Sequence, residues 1–371
     1  MDLFRMLINA FGKSGILLKS QFQSQPTHIQ MESALSVPEI QDEILRVATP
    51  SAQAAVAQTC QYWSDCSLRW LWRHMDSFYP LLEVLSRLKC IDETWEFASD
   101  LSASDWNRFD QYAARIFSLT FYSHRPYQGS VASPKILEEF NLRCSTNLMF
   151  PNLAEILWWA DTPMNLSPLL LFLVPSVKSF KLIYGGEMGT ECLSVLQLLG
   201  PRKIHLTVFG LTMKSHDRDF LDRLPAILVD QTQLTKVRLP PYLATRAIVA
   251  VLGQLPSLRH CTGNIFPEFL APQELGMEFD WHDGAFPELD TLAVYTSLAN
   301  ASSFMAKPRQ PQLRHFELVN RKPFNYTELA TSCSILSVSQ PFLTLIDLDL
   351  YSDTTVGLKG PLSFDPFRPL L

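Results

Sequence analysis

The residues of this chain that could carry out chemistry are few, and their spacing does not group them. His216–Asp217 and His282–Asp283 are isolated pairs in polar segments, whereas a metal site needs three or four converging ligands. Gly185–Gly186 lacks the third glycine and the following helix start of a phosphate-binding loop. The sequence contains no G-x-S-x-G, H-E-x-x-H or P-loop pattern. We therefore predict that the protein is not an enzyme and holds no metal or cofactor.

Composition predicts a globular, intracellular protein. The seven cysteines form no C-x-x-C pair, which is typical of reduced, buried thiols and favours a cytoplasmic or nuclear location. The net charge of −6 and the pI of about 5.8 argue against a nucleic-acid surface, which is normally basic. A composition of 47% hydrophobic and 18% charged residues predicts a globular protein with a large core. The length of 371 residues predicts two or three domains.

Residues 1–34 form an apolar but interrupted leader. Asn9, Gly12 and Gly15 break the segment, and it is too short for a membrane span. It also lacks the continuous apolar block and the small-residue cleavage site of a signal peptide. We expect a flexible leader and no membrane partner, although an amphipathic targeting helix and a translation start at Met31 both remain open.

Residues 35–79 predict three short helices. Pro38 and Pro50 each suit a first helical position, where the missing N–H costs nothing, and Thr49 can cap the second helix. Apolar residues recur every three or four positions in three groups: Val37, Ile40, Ile44 and Val47; Ala52, Val56, Cys60 and Trp63; Leu68, Leu71, Trp72 and Met75. This pattern predicts a small helical module with aromatic anchors.

This helical module resembles an F-box, especially the form common in fungal proteins. The matching positions are Val37–Pro38, Glu39–Ile40, Ile44–Leu45, Cys60, Trp63 and Leu71–Trp72. The second helix departs from the pattern, because four alanines stand where leucines are usual. The alternative is an ordinary three-helix packing unit.

After the module, residues 80–115 predict a helical linker that packs on the following domain. Leu81, Leu82, Leu85 and Leu88 form an apolar run. Ser102 precedes Asp105 by three positions, as in a weak capping box. An alternating pattern then predicts a strand over residues 116–122.

Residues 116–371 contain an irregular repeat of the form Pro-x-Leu-x-x-Leu-x-Leu. The aligned segments begin at 151, 175, 232, 256, 287, 311 and 341, with a looser match at 201, so that the period is 24 to 31 residues. Helical segments separate most of the predicted strands. A strand and a helix in each unit predict a curved leucine-rich-repeat-like solenoid with a parallel sheet. A doubly wound α/β domain is the alternative, although no glycine-rich phosphate turn follows any strand.

Residues between the inward leucines of each predicted strand face the other side of the sheet, because side chains alternate. In the middle of the solenoid these positions are basic: Lys181, His205, Lys236, Arg238, His260 and His315. A basic patch suits an acidic or phosphorylated peptide of a target protein. The alternative is that these are ordinary solvated strand residues.

The F-box resemblance implies a function. The helical module would bind a Skp-type adaptor of a cullin–RING ubiquitin ligase, and the repeats would hold the protein to be ubiquitinated. The implied adaptor-binding residues are Val37, Pro38, Ile40, Ile44, Leu45, Cys60, Trp63, Leu71 and Trp72. The alternative is a non-catalytic repeat scaffold unconnected to ubiquitination, in which the helices only cap the first strand.

Overall fold

The structure is a computed structural model. It describes residues 37–91, 94–123, 131–144, 149–186, 189–214, 218–240, 243, 245–263, 285–295, 297–305, 313–320, 326–339 and 343–350. The leader, both histidine–aspartate pairs and the tail after residue 350 lie outside these residues. The chain divides into unit 1 (Met1–Trp158 with Ser167–Ser176) and unit 2 (Trp159–Leu166 with Val177–Leu371).

Unit 1 contains three short helices near its start: α1 (Pro38–Val47), α2 (Pro50–Ala57) and α3 (Gln61–Arg73). Thr49 caps α2 as predicted, since its hydroxyl accepts a hydrogen bond from the Ala52 N–H at 3.3 Å. The second helix is shorter than predicted. Cys60 is the N-cap residue of α3 and Trp63 lies in the first turn of that helix, so neither shares a face with Ala52, which is itself exposed.

The rest of unit 1 mixes helices with short strands: β1 (His74–Met75), α4 (Tyr79–Leu85), β2 (Leu88–Ile91), β3 (Thr94–Phe97), α5 (Ala103–Ala113), β4 (Ser118–Tyr122), β5 (Val131–Ala132), α6 (Pro134–Cys144) and most of β6 (Glu155–Ala160). β1 pairs with β4 in parallel. β2 and β3 form an antiparallel hairpin, which β5 extends in parallel. The strand predicted within residues 116–122 is confirmed as β4. The segment 80–115 is helical only towards its two ends, because the unpredicted hairpin lies between them.

Aromatic side chains fill the interior of unit 1. Trp158 is fully buried and stacks on Phe121 with 4.3 Å between the ring centroids. Phe78 lies 5.9 Å from Trp158. The helix α3 joins this interior through Trp72, whose ring lies 4.6 Å from that of Tyr112. Such pairs contribute about 0.5–1.5 kcal/mol each beyond their buried area, so α3 is firmly integrated into unit 1.

In unit 2, strands and helices follow one another along the chain: β7 (Ser179–Tyr184), α7 (Thr190–Leu196), β8 (Val208–Met213), α8 (Arg218–Val229), β9 (Lys236–Leu239), α9 (Arg246–Gln254), β10 (His260–Gly263), β11 (Thr291–Tyr295), α10 (Leu298–Met305), β12 (His315–Asn320), α11 (Tyr326–Ser339) and β13 (Leu345–Leu350). The strands β7 to β13 are parallel, and neighbours in the chain are neighbours in the sheet. The predicted α/β class with a parallel sheet is therefore confirmed. A doubly wound sheet reverses its strand order, and β7 to β13 do not.

Two features recur along most of the strands of unit 2. An apolar residue that is at most 2% exposed lies two positions before each of six strands: Val177, Leu206, Leu234, Leu258, Leu289 and Leu313. The backbone carbonyl of the residue just before a strand also accepts hydrogen bonds from two N–H groups of the next repeat. The Thr207 carbonyl, for example, accepts from the N–H groups of Thr235 and Lys236 at 2.8 and 3.1 Å. Buried side chains and main-chain bonds therefore hold each repeat to its neighbours.

The loosely aligned repeat at position 201 is the exception to the predicted spacing. The other aligned strands begin four residues after the aligned start, as Ser179 does after 175, whereas β8 begins at Val208 instead of 205. The buried apolar residues Leu206, Phe209 and Leu211 keep the common spacing but lie three residues later than the alignment placed them. The side chain of the buried Gln231 bonds the segment before this strand. It accepts from the Leu206 N–H at 2.9 Å and donates to the Ile204 carbonyl at 3.2 Å.

Candidate functional site

Four apolar side chains at the start of the described chain face solvent, and we name them the α1 stripe: Val37, Ile40, Ile44 and Val47. Their exposed fractions are 38%, 40%, 42% and 69%, respectively. Spacings of three or four residues place them on one side of the helix. Tyr62, at the start of α3, is also 53% exposed. Single exposed apolar residues are ordinary, but a stripe along one helix is the feature that helix-in-groove interfaces use.

A side of α1 next to the stripe packs inside unit 1. Leu45 is fully buried, and Gln41 is only 3% exposed. Gln53 of α2 donates from its side-chain amide to the Leu45 carbonyl at 2.8 Å and to the Ala48 carbonyl at 3.2 Å. These bonds satisfy carbonyls at the end of α1 that have no partner within the helix. The α1 stripe is therefore presented by a helix whose other side is well anchored.

Asp42 also fixes the rotation of α1 about its own axis. Its Oδ1 accepts a hydrogen bond from the Cys66 thiol and another from the Trp70 indole N–H, both at 3.0 Å. The bond from Cys66 is the main reason that the pKa of Asp42 lies below its ordinary value, and Trp70 and the Arg69 charge act in the same direction against partial desolvation. Burial raises the pKa of Cys66 to about 11, so the thiol stays protonated and can donate.

The nine predicted adaptor-binding residues differ in their exposure. Five are exposed: Val37, Pro38, Ile40, Ile44 and Cys60. Trp63 is half-buried, whereas three are buried in unit 1: Leu45, Leu71 and Trp72. The buried three could support binding only by positioning the helices. Val47 and Tyr62 are exposed but absent from the prediction; the spacing of the first helix already identified Val47, whereas no sequence signal identified Tyr62.

The second candidate surface lies on the sheet of unit 2, where three cationic side chains form what we name the cation cluster: Lys181, Lys236 and Arg238. Side-chain alternation places all three on the face opposite the core, because Phe180, Leu182 and Val237 are buried while the three cations are partly exposed. Lys181 pairs in register with Gly210 of β8, and Gly210 pairs with Arg238. The cluster therefore spans three adjacent strands.

The three cations have no neutralising partner in the part of the chain that the structure describes. None of them takes part in an ion pair or a side-chain hydrogen bond there. Partial desolvation lowers the pKa of Lys236, and the charges of Arg238 and Lys181 lower it further. Like charges at this spacing repel, so the cluster creates a local positive potential on a chain whose net charge is −6.

Five of the six predicted target-binding residues share this face of the sheet. His260 pairs in register with Lys236, and His315 follows two strands further on, across Thr291. His205 does not belong to the row, because it precedes β8 and lies exposed in a loop. Its carbonyl accepts a hydrogen bond from the Lys178 Nζ at 3.4 Å. The residue that β8 contributes between the cations is Gly210.

Other kinds of site were sought among the described residues. No group of three or more His, Cys, Asp or Glu side chains there could hold a metal ion, and no helix there combines the length and apolarity needed to cross a membrane. The chain matches no model of a known protein family, and a search of curated proteins finds no significant match. Function must therefore be inferred from the α1 stripe and the cation cluster.

Proposed function

We propose that this protein is the substrate-recognition subunit of a Skp–cullin–F-box type ubiquitin ligase. The α1 stripe binds the Skp-type adaptor, and the sheet face of unit 2 binds the target protein. The observation that carries the proposal is the exposure of four regularly spaced apolar residues on α1, within the segment that resembles an F-box. The chain itself performs no chemistry in this role. It raises the effective concentration of target lysines near the ubiquitin carrier.

The energetics of the α1 stripe support a protein partner. Moving a large aliphatic side chain fully out of water contributes about 1.5–3 kcal/mol. The stripe is 38–69% exposed, so a partner that covers it gains a substantial part of that energy at each position. The anchored side of α1 adds to the effect, because a helix that is already ordered loses little conformational freedom on binding.

The adaptor proposal is tested with two exposed substitutions, Ile40→Ala and Ile44→Ala, made together in the full chain. Their affinity for a purified Skp-type adaptor is measured by isothermal titration calorimetry. We expect a loss of about 2 kcal/mol, or about 30-fold in Kd, since two aliphatic contacts are removed. The matched control combines Leu142→Ala with Val229→Ala, which removes two exposed aliphatic side chains outside the stripe and should leave the affinity unchanged.

Two results would contradict this proposal. Equal affinity of the stripe variant and the control variant would mean that the stripe is not the contact surface. No measurable binding of the unaltered chain to any Skp-type adaptor would favour the non-catalytic scaffold. One observation favours the scaffold alternative. Trp72 of α3 packs against Tyr112 inside unit 1, as it would in a helical cap that belongs to unit 1.

A further inference from the structure

The α1 stripe lies at the point of the chain where the described residues begin. Val37 is both the first residue that the structure describes and the first member of the stripe. The preceding residues 1–36 are therefore tethered directly beside this exposed surface. Tethering gives a segment an effective concentration on the order of millimolar at a site that its linker can reach. An apolar segment within these residues is the first candidate to cover the stripe.

Residues 2–13, which we name the leader segment, have the sequence pattern of an amphipathic helix. Apolar residues recur at spacings of three or four and share one face of such a helix: Leu3, Phe4, Leu7, Ala10 and Phe11. The polar and charged residues share the other face: Asp2, Arg5, Asn9 and Lys13. A helix of this kind is stabilised mainly by packing its apolar face against another surface.

The leader segment and the α1 stripe match in length. Since a helix rises about 1.5 Å per residue, the stripe from Val37 to Val47 is about 15 Å long and a helix over residues 2–13 is about 18 Å long. Residues 14–36 connect the two. A flexible linker of that length spans about 26 Å on average, so the leader segment can reach either end of the stripe.

The charges of the two segments are complementary. α1 contains three acidic residues and one arginine, whereas the leader segment contains two basic residues and one aspartate. Opposite net charges favour contact between the two helices. Pairing of two α1 stripes from two copies of the chain is less favourable, because it would bring like net charges together.

We propose that the leader segment forms a helix that packs on the α1 stripe and covers it in the free protein. The contact itself needs no partner, and only its consequence rests on the proposed function. The adaptor then has to displace the leader segment, so its apparent Kd is raised by the reciprocal of the fraction of molecules with an open stripe. The leader segment is in this arrangement an autoinhibitory element of the adaptor-binding surface.

The first test is hydrogen exchange of the purified full chain without an adaptor, measured by mass spectrometry. We expect the amides of the leader segment to exchange at least 10-fold more slowly than those of a free peptide of residues 1–20, because a packed helix protects them. Ile40→Ala combined with Ile44→Ala should make the leader segment exchange about fivefold faster. The matched control, Leu142→Ala with Val229→Ala, removes two exposed aliphatic side chains elsewhere and should leave that exchange unchanged.

A reciprocal variant changes the leader segment and none of the described residues. Leu7→Asp with Phe11→Asp places two charges on its apolar face, so we expect it to leave the stripe. The amides of α1 should then exchange faster, and the affinity for a purified Skp-type adaptor should rise about 10-fold in calorimetry. Asn9→Asp with Gly12→Asp is the matched control, because it adds the same two charges to the polar face. It should change both quantities less than twofold.

Several outcomes would overturn the inference. Exchange of the leader segment at the rate of the free peptide would mean that it makes no contact. Protection that persists in the Ile40→Ala, Ile44→Ala variant would mean that it packs elsewhere. Protection that is lost on tenfold dilution would indicate binding to a second copy of the chain. Protection that arises only with vesicles of anionic phospholipid would indicate a membrane-surface helix.

The exchange experiment and the adaptor test can fail separately. No adaptor is present during hydrogen exchange, so an unprotected leader segment contradicts this inference and leaves the adaptor proposal standing. A protected leader segment in a chain that binds no Skp-type adaptor supports the intramolecular contact and contradicts the proposed function. An unchanged adaptor affinity of the Leu7→Asp, Phe11→Asp variant would contradict the autoinhibitory role.

Discussion

The α1 stripe and the cation cluster were both predicted from regularly spaced apolar residues. The two regions differ in whether those apolar residues are exposed or buried. On β7 and β9, the regularly spaced apolar residues turn inward and the charged residues between them remain at the surface. On α1, the apolar residues are spaced just as regularly, yet they lie at the surface while Gln41 and Leu45 face the interior. Periodicity therefore identifies a face of an element, and the surrounding packing decides whether that face is buried.

Hydrophobic burial alone would favour the opposite rotation of α1. Turning the stripe inward would remove four aliphatic side chains from water in exchange for Leu45 and Gln41. The observed rotation also satisfies Asp42, whose two donors both lie on α3. Leu71 and Trp72 of α3 are buried in unit 1. A helix held with its apolar stripe outward is consistent with a surface that a partner covers.

The first way to break the comparison is to truncate neighbouring residues on α1. Leu45→Ala should lower the free energy of unfolding by about 2–5 kcal/mol, because Leu45 is fully buried and the change leaves a cavity. Ile44→Ala, at a position that is 42% exposed, should cost less than about 1 kcal/mol. Urea unfolding of the two full-length variants measures both values. A similar cost at both positions would mean that the stripe packs internally.

The second prediction concerns the bond network that sets the rotation of α1. Asp42→Ala leaves the Cys66 thiol and the Trp70 N–H without their acceptor, so we expect a loss of about 1–2 kcal/mol. Asp42 has a lowered pKa in the folded protein. Its stabilising effect is therefore fully present above its ordinary pKa of 3.8 and is lost as the pH falls through the lower folded value.

Urea unfolding at pH 7 and at a series of acidic pH values checks this second prediction. The difference between the unaltered chain and Asp42→Ala should shrink as the pH falls below about 4, since the protonated carboxyl is the weaker acceptor. Glu39→Ala is the control, because Glu39 is an exposed carboxylate on the same helix. A constant difference across the pH series would contradict the assigned role of the Asp42 charge.

Much of the parallel sheet could be predicted from the sequence, because burial on one side of a strand forces a strict alternation. The repeat beginning at 232 places the strand at Lys236–Leu239 correctly, as do six others. The repeat at 201 was misplaced because it was aligned on Pro201, whereas its buried apolar residues Leu206, Phe209 and Leu211 lie three positions later.

The candidate surfaces were predicted less completely than the fold. The sequence identified the residues of α1 but could not assign Leu45 to the interior and Ile44 to the surface, since both are large and aliphatic. It identified all three members of the cation cluster, because strand alternation alone separates them from the core.

The smallest expected effect sharpens the comparison at the cation cluster. Lys236→Met should leave the free energy of unfolding at pH 7 unchanged or raise it by less than about 0.5 kcal/mol, because the repulsion removed acts between partly exposed charges. The sign follows from the lowered pKa of Lys236: the folded state disfavours the charged ammonium, and this cost disappears as the pH rises through the lowered value. Added salt should reduce the difference as well.

Urea unfolding at low and high salt measures this difference, with Lys214→Met as the control. A clear destabilisation by Lys236→Met would mean that Lys236 has a structural role. An unchanged or higher stability fits a charge kept for a ligand.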